Sequence, residues 1–173
     1  LASSRSIYGE GAYLDGDNNP LHPEPRSLAA LKDGKWDFLS VSGRGLVPTG
    51  TPIDLPPKPA SIYAATKLAQ ERIVRISCVA SGIETSILRF QNVYGEGQSL
   101  KNPYTGIISI FYNRMRQGLP ISIYEDGNES RDFVHVSDVV EALLSSASKE
   151  SIPDHIVANI GSGVPTSVME LAE

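Results

Sequence analysis

The 173-residue chain contains one cysteine, Cys78. A single cysteine excludes a disulfide within the chain and any cysteine-rich metal site, so we expect no metal centre. No apolar run reaches the roughly 20 residues that a membrane-spanning helix needs, and no signal peptide is visible. The formal net charge of −5 offers no excess of positive charge for nucleic acid or an anionic membrane. These absences predict a soluble cytoplasmic protein that binds neither.

The composition is that of a folded globular protein, with 40% hydrophobic and 20% charged residues. From residue 62 onwards, stretches with helical periodicity alternate with short β-rich runs, which predicts an α/β fold with a mainly parallel sheet. The predicted helices cover 62–81, 105–118, 137–149 with Ser137 as its cap, and 165–173 with a Ser167–Glu170 capping box. The predicted strands cover 1–7, 85–95, 120–124, 131–136 and 155–161.

The segment 10–60 interrupts this alternation. It is rich in Gly, Pro and Asp, and its only periodic piece is RSLAALKDGKWDFL, residues 26–39. We therefore expect a long insertion with one short helix. Irregular stretches of this length usually cover or build a site.

The first candidate for chemistry is the pair Tyr63 and Lys67, at the start of the helix predicted from residue 62. Residues four apart lie on one helical face, with their Cβ atoms about 5–6 Å apart. An ammonium beside a phenol favours the phenolate, which can act as a general base. A surface tyrosine beside a solvated lysine is the alternative. The hydroxyl of Ser4, at the end of the first strand, favours the catalytic interpretation because it could relay a proton to the phenol.

Three segments together resemble a known family. Ser4, Tyr63 and Lys67 match the Ser/Thr-Tyr-Lys triad of the extended short-chain dehydrogenase/reductases. The run LRFQNVYG, residues 88–95, resembles the strand that carries an asparagine near the sugar nucleotide, and EDGNESRDFVHVSDVVEA, residues 125–142, resembles a signature whose arginine binds a phosphate. The resemblance covers nearly all of residues 1–10 and 60–173. The chain is therefore similar to the nucleotide-sugar epimerase/dehydratase branch of that family.

The resemblance implies a role for each matching residue. Tyr63 would be the base at the sugar C4 hydroxyl, Lys67 would promote its ionisation and hold the nicotinamide ribose, and Ser4 would bridge substrate and tyrosine. The residues implied beside an NAD cofactor are Ala2, Ser3, Tyr63, Lys67, Phe90 and Asn92. Those implied at the nucleotide-sugar substrate are Ser4, Asn92, Gly106, Ile107 and Arg131. A guanidinium suits a phosphate, but Arg131 could instead pair with Asp132 or Glu129.

The chain departs from the family pattern at two places. Dehydratases of the branch carry Asp-Glu directly after the catalytic hydroxyl residue, whereas Arg5 and Ser6 stand here, which favours an epimerase. The family's Gly-x-x-Gly-x-x-Gly loop, which holds the cofactor pyrophosphate, has no match in the sequence. We therefore expect part of a Rossmann-like doubly wound domain over 1–98, a smaller α/β substrate-binding region over 99–173, and an N-terminal half that belongs to a longer protein.

The leading hypothesis is an NAD-dependent nucleotide-sugar 4-epimerase for a dTDP-6-deoxyhexose such as dTDP-L-rhamnose, working by transient oxidation at C4. A nucleotide-sugar reductase or 4,6-dehydratase is the alternative enzyme. A third possibility is an inactive fragment that acts only through protein association. The resemblance also implies a homodimer through the helix that carries Tyr63 and Lys67, because Ile73, Val74 and Ile76 give it more apolar positions than one face needs.

Overall fold

The computed structural model describes residues 1–100, 102, 106–148 and 155–173. In these ranges the strands are Ala2–Ser4 (β1), Tyr13–Leu14 (β2), Pro20–Leu21 (β3), Val47–Pro48 (β4), Ser86–Phe90 (β5), Asn92–Tyr94 (β6), Ser130–His135 (β7), Ile156–Ile160 (β8) and Pro165–Ser167 (β9). The helices are Leu28–Lys32 (α1), Ile62–Ser81 (α2), Ile107–Arg116 (α3), Val136–Ala147 (α4) and Val168–Ala172 (α5), with a 3₁₀ helix at Arg5–Tyr8. The predicted helix start at Thr105 and helix end at Lys149 fall outside the described residues.

A parallel sheet with strand order β1-β5-β8 positions the site. Ser4 pairs with Phe90, which in turn pairs with Ile160, so the carboxyl ends of the three strands meet at one edge. Ligands of open α/β sheets bind at such an edge. Ile7 and Leu88 are fully buried beside this sheet and belong to its core. The predicted α/β class with a parallel sheet is confirmed.

The single β-rich run predicted over 85–95 is divided between two sheets. Gln91 separates β5 from β6, and its backbone N–H donates to the carbonyl of Ile160 at 2.9 Å. β6 then pairs in parallel with β7, which pairs antiparallel with β9. The backbone therefore steps from one sheet to the next at the edge where the site is expected. The proposed domain boundary at residues 98 and 99 stays a prediction.

Four predicted details are wrong. The strand predicted over 1–7 ends at Ser4, where the 3₁₀ helix follows, and residues 165–167 of the last predicted helix form β9. Residues 120–124 form no strand, because the Pro120 carbonyl accepts a hydrogen bond from Arg114 Nε at 2.6 Å and Leu119 N–H donates to the Arg114 carbonyl, which ties this segment to the end of α3. The cap of α4 is His135, whose ring accepts from the Ser137 N–H, rather than Ser137 itself. The Ser167–Glu170 capping box of α5 is confirmed.

The segment 10–60 is more regular than the sequence indicates. It contains the short antiparallel sheet β3-β2-β4 as well as the expected helix, α1, which Ser27 caps. Several hydrogen bonds join it to the main sheet and to the 3₁₀ helix after β1. Among them, the Lys58 N–H donates to the Ile7 carbonyl at 2.9 Å, Arg89 Nη1 to the Ile53 carbonyl at 3.0 Å, and Asn159 Nδ2 to the Thr51 carbonyl at 3.0 Å. Strands of two residues are too short to show an alternating pattern, which is why the sequence did not reveal them.

Helix α2 has the predicted bounds, but the face that it buries is unexpected. Ser61 caps its start, and Gly82 ends it in the left-handed conformation at φ 65°. Its buried residues are Ala64 and Glu71, whereas Ile73 and Ile76 are exposed. The apolar periodicity that predicted the helix therefore marks a face without a partner in the described part of the chain. None of the described helices has the length and apolarity to cross a membrane.

Candidate active site

Ser4 ends β1 and starts the 3₁₀ helix, so its side chain lies at the carboxyl edge of the parallel sheet. Its Oγ accepts a hydrogen bond from the Ser6 N–H at 3.2 Å. An accepting hydroxyl still has its own proton to donate. The fully buried Ile7 and Tyr8 anchor the 3₁₀ helix and thereby fix the position of Ser4.

Tyr63 and Lys67 lie one turn apart at the start of α2. The Lys67 ammonium is 5.8 Å from the centroid of the Tyr63 ring. It also donates to the Ala2 carbonyl at 3.1 Å, which joins the helix to β1 two residues before Ser4. The phenol is 55% exposed and so is open to a ligand. The structure thus brings a phenol, an ammonium and a serine-bearing strand end to one place.

A cavity of about 380 Å³, here called the catalytic cavity, brings together half of the predicted site residues. Five of them line it: Ser4, Tyr63, Asn92, Gly106 and Ile107. The other lining residues are Arg5, Ser6, Gln91, Val93, Tyr94, Gln98, Ile108 and Phe133, which the sequence reasoning did not assign to a site. No sequence feature identified Gln98 or Phe133.

Four residues predicted beside the cofactor, Ala2, Ser3, Lys67 and Phe90, do not line the catalytic cavity. Ala2 is exposed, and its carbonyl is held by Lys67. Phe90 ends β5 opposite Ser4. Ser3 is 4% exposed, and its hydroxyl donates to the Glu71 carboxylate. Its side chain is therefore occupied, and any contact of Ser3 with a cofactor would have to come from its backbone.

Arg131 lines a second cavity, of about 620 Å³, between the insertion and the start of β7. Its guanidinium forms an ion pair with Glu129 and donates to the Ser130 carbonyl at 3.0 Å. Asp132 instead accepts from the backbone N–H of Ser162 at 2.7 Å. The pairing with Glu129 that the sequence left open is thus present, and the predicted phosphate contact of Arg131 would have to replace or share it.

A buried ion pair behind the catalytic cavity was not predicted. Arg89 donates through Nε and Nη2 to the Glu71 carboxylate, at 3.0 and 2.9 Å, and through Nη1 to the Tyr8 hydroxyl at 2.6 Å. Burial lowers the pKa of Arg89, but the hydrogen bonds to Glu71 and Tyr8 outweigh it and raise the pKa above its ordinary value. With Ser3 also bound to Glu71, this pair attaches α2 to β1 and β5.

Arg5 connects the two cavities, because it lines both. Burial lowers the pKa of its guanidinium, and the positive charge of Arg131 lowers it further, while Glu129, Tyr13 and Glu10 act in the opposite direction. Among the described residues that line the catalytic cavity, Arg5 is the only one with a charged side chain.

The described ranges contain no cluster of three or more His, Cys, Asp or Glu side chains that could bind a metal ion. The polar groups that surround the catalytic cavity are hydroxyls, amides and one guanidinium. These groups bind sugars and phosphates by hydrogen bonds.

The fold and the residues of this site are those of one protein family. Residues 26–161 match the model of the NAD dependent epimerase/dehydratase family, and the chain belongs to that family. The family predicted from the motifs is therefore confirmed. NAD, the predicted cofactor, is named in the family's description.

Comparison with individual proteins adds sequence identities and structural similarities to the family match. The chain is 43% identical to dTDP-L-rhamnose 4-epimerase of Burkholderia thailandensis. The alignment covers 99% of this chain and 46% of the Burkholderia protein. The structure resembles UDP-glucose 4-epimerase of Thermotoga maritima with UDP-glucose (TM-score 0.65, 36% identity, 70% of this chain and 38% of that one). It also resembles UDP-glucose 4-epimerase of Thermus thermophilus in complex with NAD (TM-score 0.61, 32% identity, 73% and 41%). These neighbours confirm the Rossmann-like architecture, and the chain spans less than half the length of each.

Proposed function

We propose that this chain forms the catalytic and substrate-binding part of an NAD-dependent nucleotide-sugar 4-epimerase. The proposed substrate is a dTDP-6-deoxyhexose such as dTDP-L-rhamnose, as the name of the Burkholderia relative suggests. The observation that carries the proposal is the catalytic cavity. It has Ser4 and Tyr63 in its wall, and no carboxylate among the described residues that line it.

Tyr63 is the proposed base that removes the proton of the C4 hydroxyl and later returns it. The Lys67 ammonium lies 5.8 Å from the centroid of the Tyr63 ring, which puts a positive charge beside the proposed base. Ser4 donates its hydroxyl proton to the substrate oxygen, since its Oγ already accepts from the Ser6 N–H. Positioned proton transfer of this kind contributes about 10²–10⁴-fold to a rate.

NAD, when bound, supplies the two-electron oxidant that is reduced and then reoxidised within one turnover. The residues proposed to hold its nicotinamide end are Tyr63, Lys67, Phe90, Asn92, Ala2 and, through its backbone, Ser3. They fit this task because the Tyr63 phenol is exposed and Lys67 lies beside the open edge of β1. We propose that the isolated chain is inactive, since these groups reach only a minority of the contacts that the cofactor requires.

The substrate is proposed to lie between the two cavities. Asn92, Gly106 and Ile107 line the catalytic cavity and suit the sugar and the diphosphate, while Arg131 lies in the second cavity. Helix α3 supports this arrangement, since Gly106 at its start has no side chain to cap the first N–H groups. The Ser109 N–H donates to the Gly106 carbonyl at 3.1 Å, so we propose that the N–H groups of Ile107 and Ile108 contact the anionic ligand.

The alternative reactions have less support. A 4,6-dehydratase needs an acid and a base to eliminate water across C5 and C6, and Arg5 and Ser6 stand where that branch carries Asp and Glu. No carboxylate from another described element enters the catalytic cavity to replace them. No observation favours a reductase, which would release its reduced cofactor after each turnover.

The test is a reaction in a protein of full family length that contains this chain, hereafter the full-length protein. It should be incubated with dTDP-L-rhamnose deuterated at C4 and catalytic NAD, and the product analysed by NMR. We expect inversion at C4 with the deuterium retained. Loss of deuterium to solvent would contradict the proposal, and so would a requirement for stoichiometric reduced cofactor.

We also propose a homodimer through α2 in the full-length protein. Four large apolar side chains on this helix are 56–86% exposed, namely Ile62, Ile73, Ile76 and Val79. Contiguous apolar surface of this kind typically marks a protein–protein contact.

A further inference from the structure

Acidic groups lie in the surroundings of Arg5, but none of the described ones forms an ion pair with it. Its guanidinium makes no hydrogen bond and no ion pair with any of the residues that the structure describes. The position follows Ser4 directly, so the backbone of the 3₁₀ helix holds it at the rim of the catalytic cavity. A largely enclosed cation normally has a hydrogen-bonded counter-charge. The missing counter-charge suggests a ligand.

The surroundings of Arg5 indicate an anion. Arg131 also lines the second cavity and its like charge opposes that of Arg5, while Glu129, which acts in the opposite direction, is already paired with Arg131. Glu10 and Tyr13 act on Arg5 as well, but neither forms a hydrogen bond or an ion pair with its guanidinium. An anion placed between Arg5 and Arg131 would remove this repulsion, because each guanidinium would then have a counter-charge.

A second unsatisfied group lies beside Arg5. The Ser6 Oγ is buried and has no hydrogen-bond partner, although Ser6 lines the catalytic cavity. Buried hydroxyls without a partner are rare in folded proteins, and such a group calls for an explanation. A ligand oxygen in the cavity would supply one.

We propose that Arg5, with Ser6 beside it, is a specificity-determining residue that binds the diphosphate of the nucleotide sugar at the junction of the two cavities. Arg5 and Arg131 then bind the diphosphate from opposite sides, and Asn92 and the start of α3 complete the set of donors. This assignment rests on the proposed function, since a dTDP-6-deoxyhexose carries its negative charge only on the diphosphate. The assignment also explains why an arginine stands at the position where the dehydratases carry an acidic residue.

The experiment is calorimetric titration of this chain with dTDP and with thymidine, for the unaltered sequence, Arg5→Ala, Arg5→Lys and the control Arg116→Ala. Arg116 is exposed at the end of α3, lines neither cavity, and its removal changes the net charge equally. We expect Arg5→Ala to weaken dTDP binding about 10- to 100-fold, as loss of a charge-assisted hydrogen bond does. Arg5→Lys should recover part of that loss, and Arg116→Ala should bind like the unaltered chain. Thymidine binding should not change.

Two results would overturn the assignment. These are dTDP binding by Arg5→Ala as tight as that of the unaltered chain, and no dTDP binding by the unaltered chain. The C4 inversion assay separates this inference from the proposed function. Inversion together with unchanged dTDP binding by Arg5→Ala refutes only the role of Arg5, and Arg5-dependent dTDP binding without inversion refutes only the epimerase.

Discussion

Replacement of Glu71 by alanine tests whether the buried ion pair holds α2 against the sheet. The side chains of Glu71 and Arg89 are 6% and 9% exposed, and two hydrogen bonds of 2.9 and 3.0 Å join them. Ser3 donates a third hydrogen bond to the same carboxylate. Glu71 also lies one turn after Lys67 on α2, so its loss would loosen the helix that carries the proposed base.

The expected loss in free energy of unfolding follows from the charge of Arg89, which Glu71→Ala leaves buried and unpaired. Removing one partner of a buried ion pair costs about 3–5 kcal/mol, and the Ser3 hydroxyl loses its acceptor at a further cost of about 1 kcal/mol. We therefore expect Glu71→Ala to lower the free energy of unfolding by about 4–6 kcal/mol, a large part of the roughly 5–15 kcal/mol of a typical domain. The double variant Glu71→Leu, Arg89→Met should recover most of this loss, because it leaves no unpaired charge.

Urea unfolding followed by far-ultraviolet circular dichroism measures these differences. Glu141→Ala is the matched control, since Glu141 is an exposed glutamate on α4, and its loss should change stability by less than about 0.5 kcal/mol. A loss below about 1 kcal/mol for Glu71→Ala would refute the reasoning. So would a double variant that is less stable than Glu71→Ala.

Two further predictions concern association and the cofactor. In the full-length protein, Ile73→Arg combined with Ile76→Arg should convert the dimer into a monomer, because both side chains are exposed on α2. Light scattering at micromolar concentration measures this change, and an unaltered protein that is already monomeric would contradict the proposed dimer. The isolated chain should bind NAD more weakly than micromolar by calorimetry, because its sequence has no glycine-rich loop for the pyrophosphate. Micromolar or tighter binding would reveal a phosphate site that this account does not contain.

The elements that the sequence predicted well are those with strong local signals. Helix α2 has a serine cap, a glycine stop and regular apolar spacing, and each signal acts within a few residues. The burial of Glu71 could not be predicted, since a helical glutamate ordinarily faces solvent and its partner, Arg89, lies 18 positions away in the sequence. The exposure of Ile73 and Ile76 agrees with the surplus of apolar positions that the sequence showed on this helix. Periodicity shows that a helix has an apolar face but not what covers it.

The candidate site also contains residues that the sequence predicted and residues that it did not. Ser4, Tyr63 and Asn92 were found from family motifs, and they line one cavity because β1, α2 and β6 meet at the edge of the parallel sheet. The sequence did not decide the binding partner of Arg131, because an arginine beside two acidic residues suits both an ion pair and a phosphate contact. Arg5 was noticed only as a departure from the dehydratase pattern. Its possible role became visible from its position between two cavities and from its lack of a partner.

The central claim is that Tyr63 is the base of a C4 epimerase, and its most direct test is the turnover of Tyr63→Phe in the full-length protein. Tyr112→Phe is the control, because Tyr112 is equally exposed, at 54% against 55%, and lies on α3 outside the catalytic cavity. The account predicts that Tyr63→Phe lowers the rate of C4 inversion by at least about 10²-fold, while Tyr112→Phe retains it. A Tyr63→Phe protein that inverts C4 at nearly the unaltered rate would contradict the account.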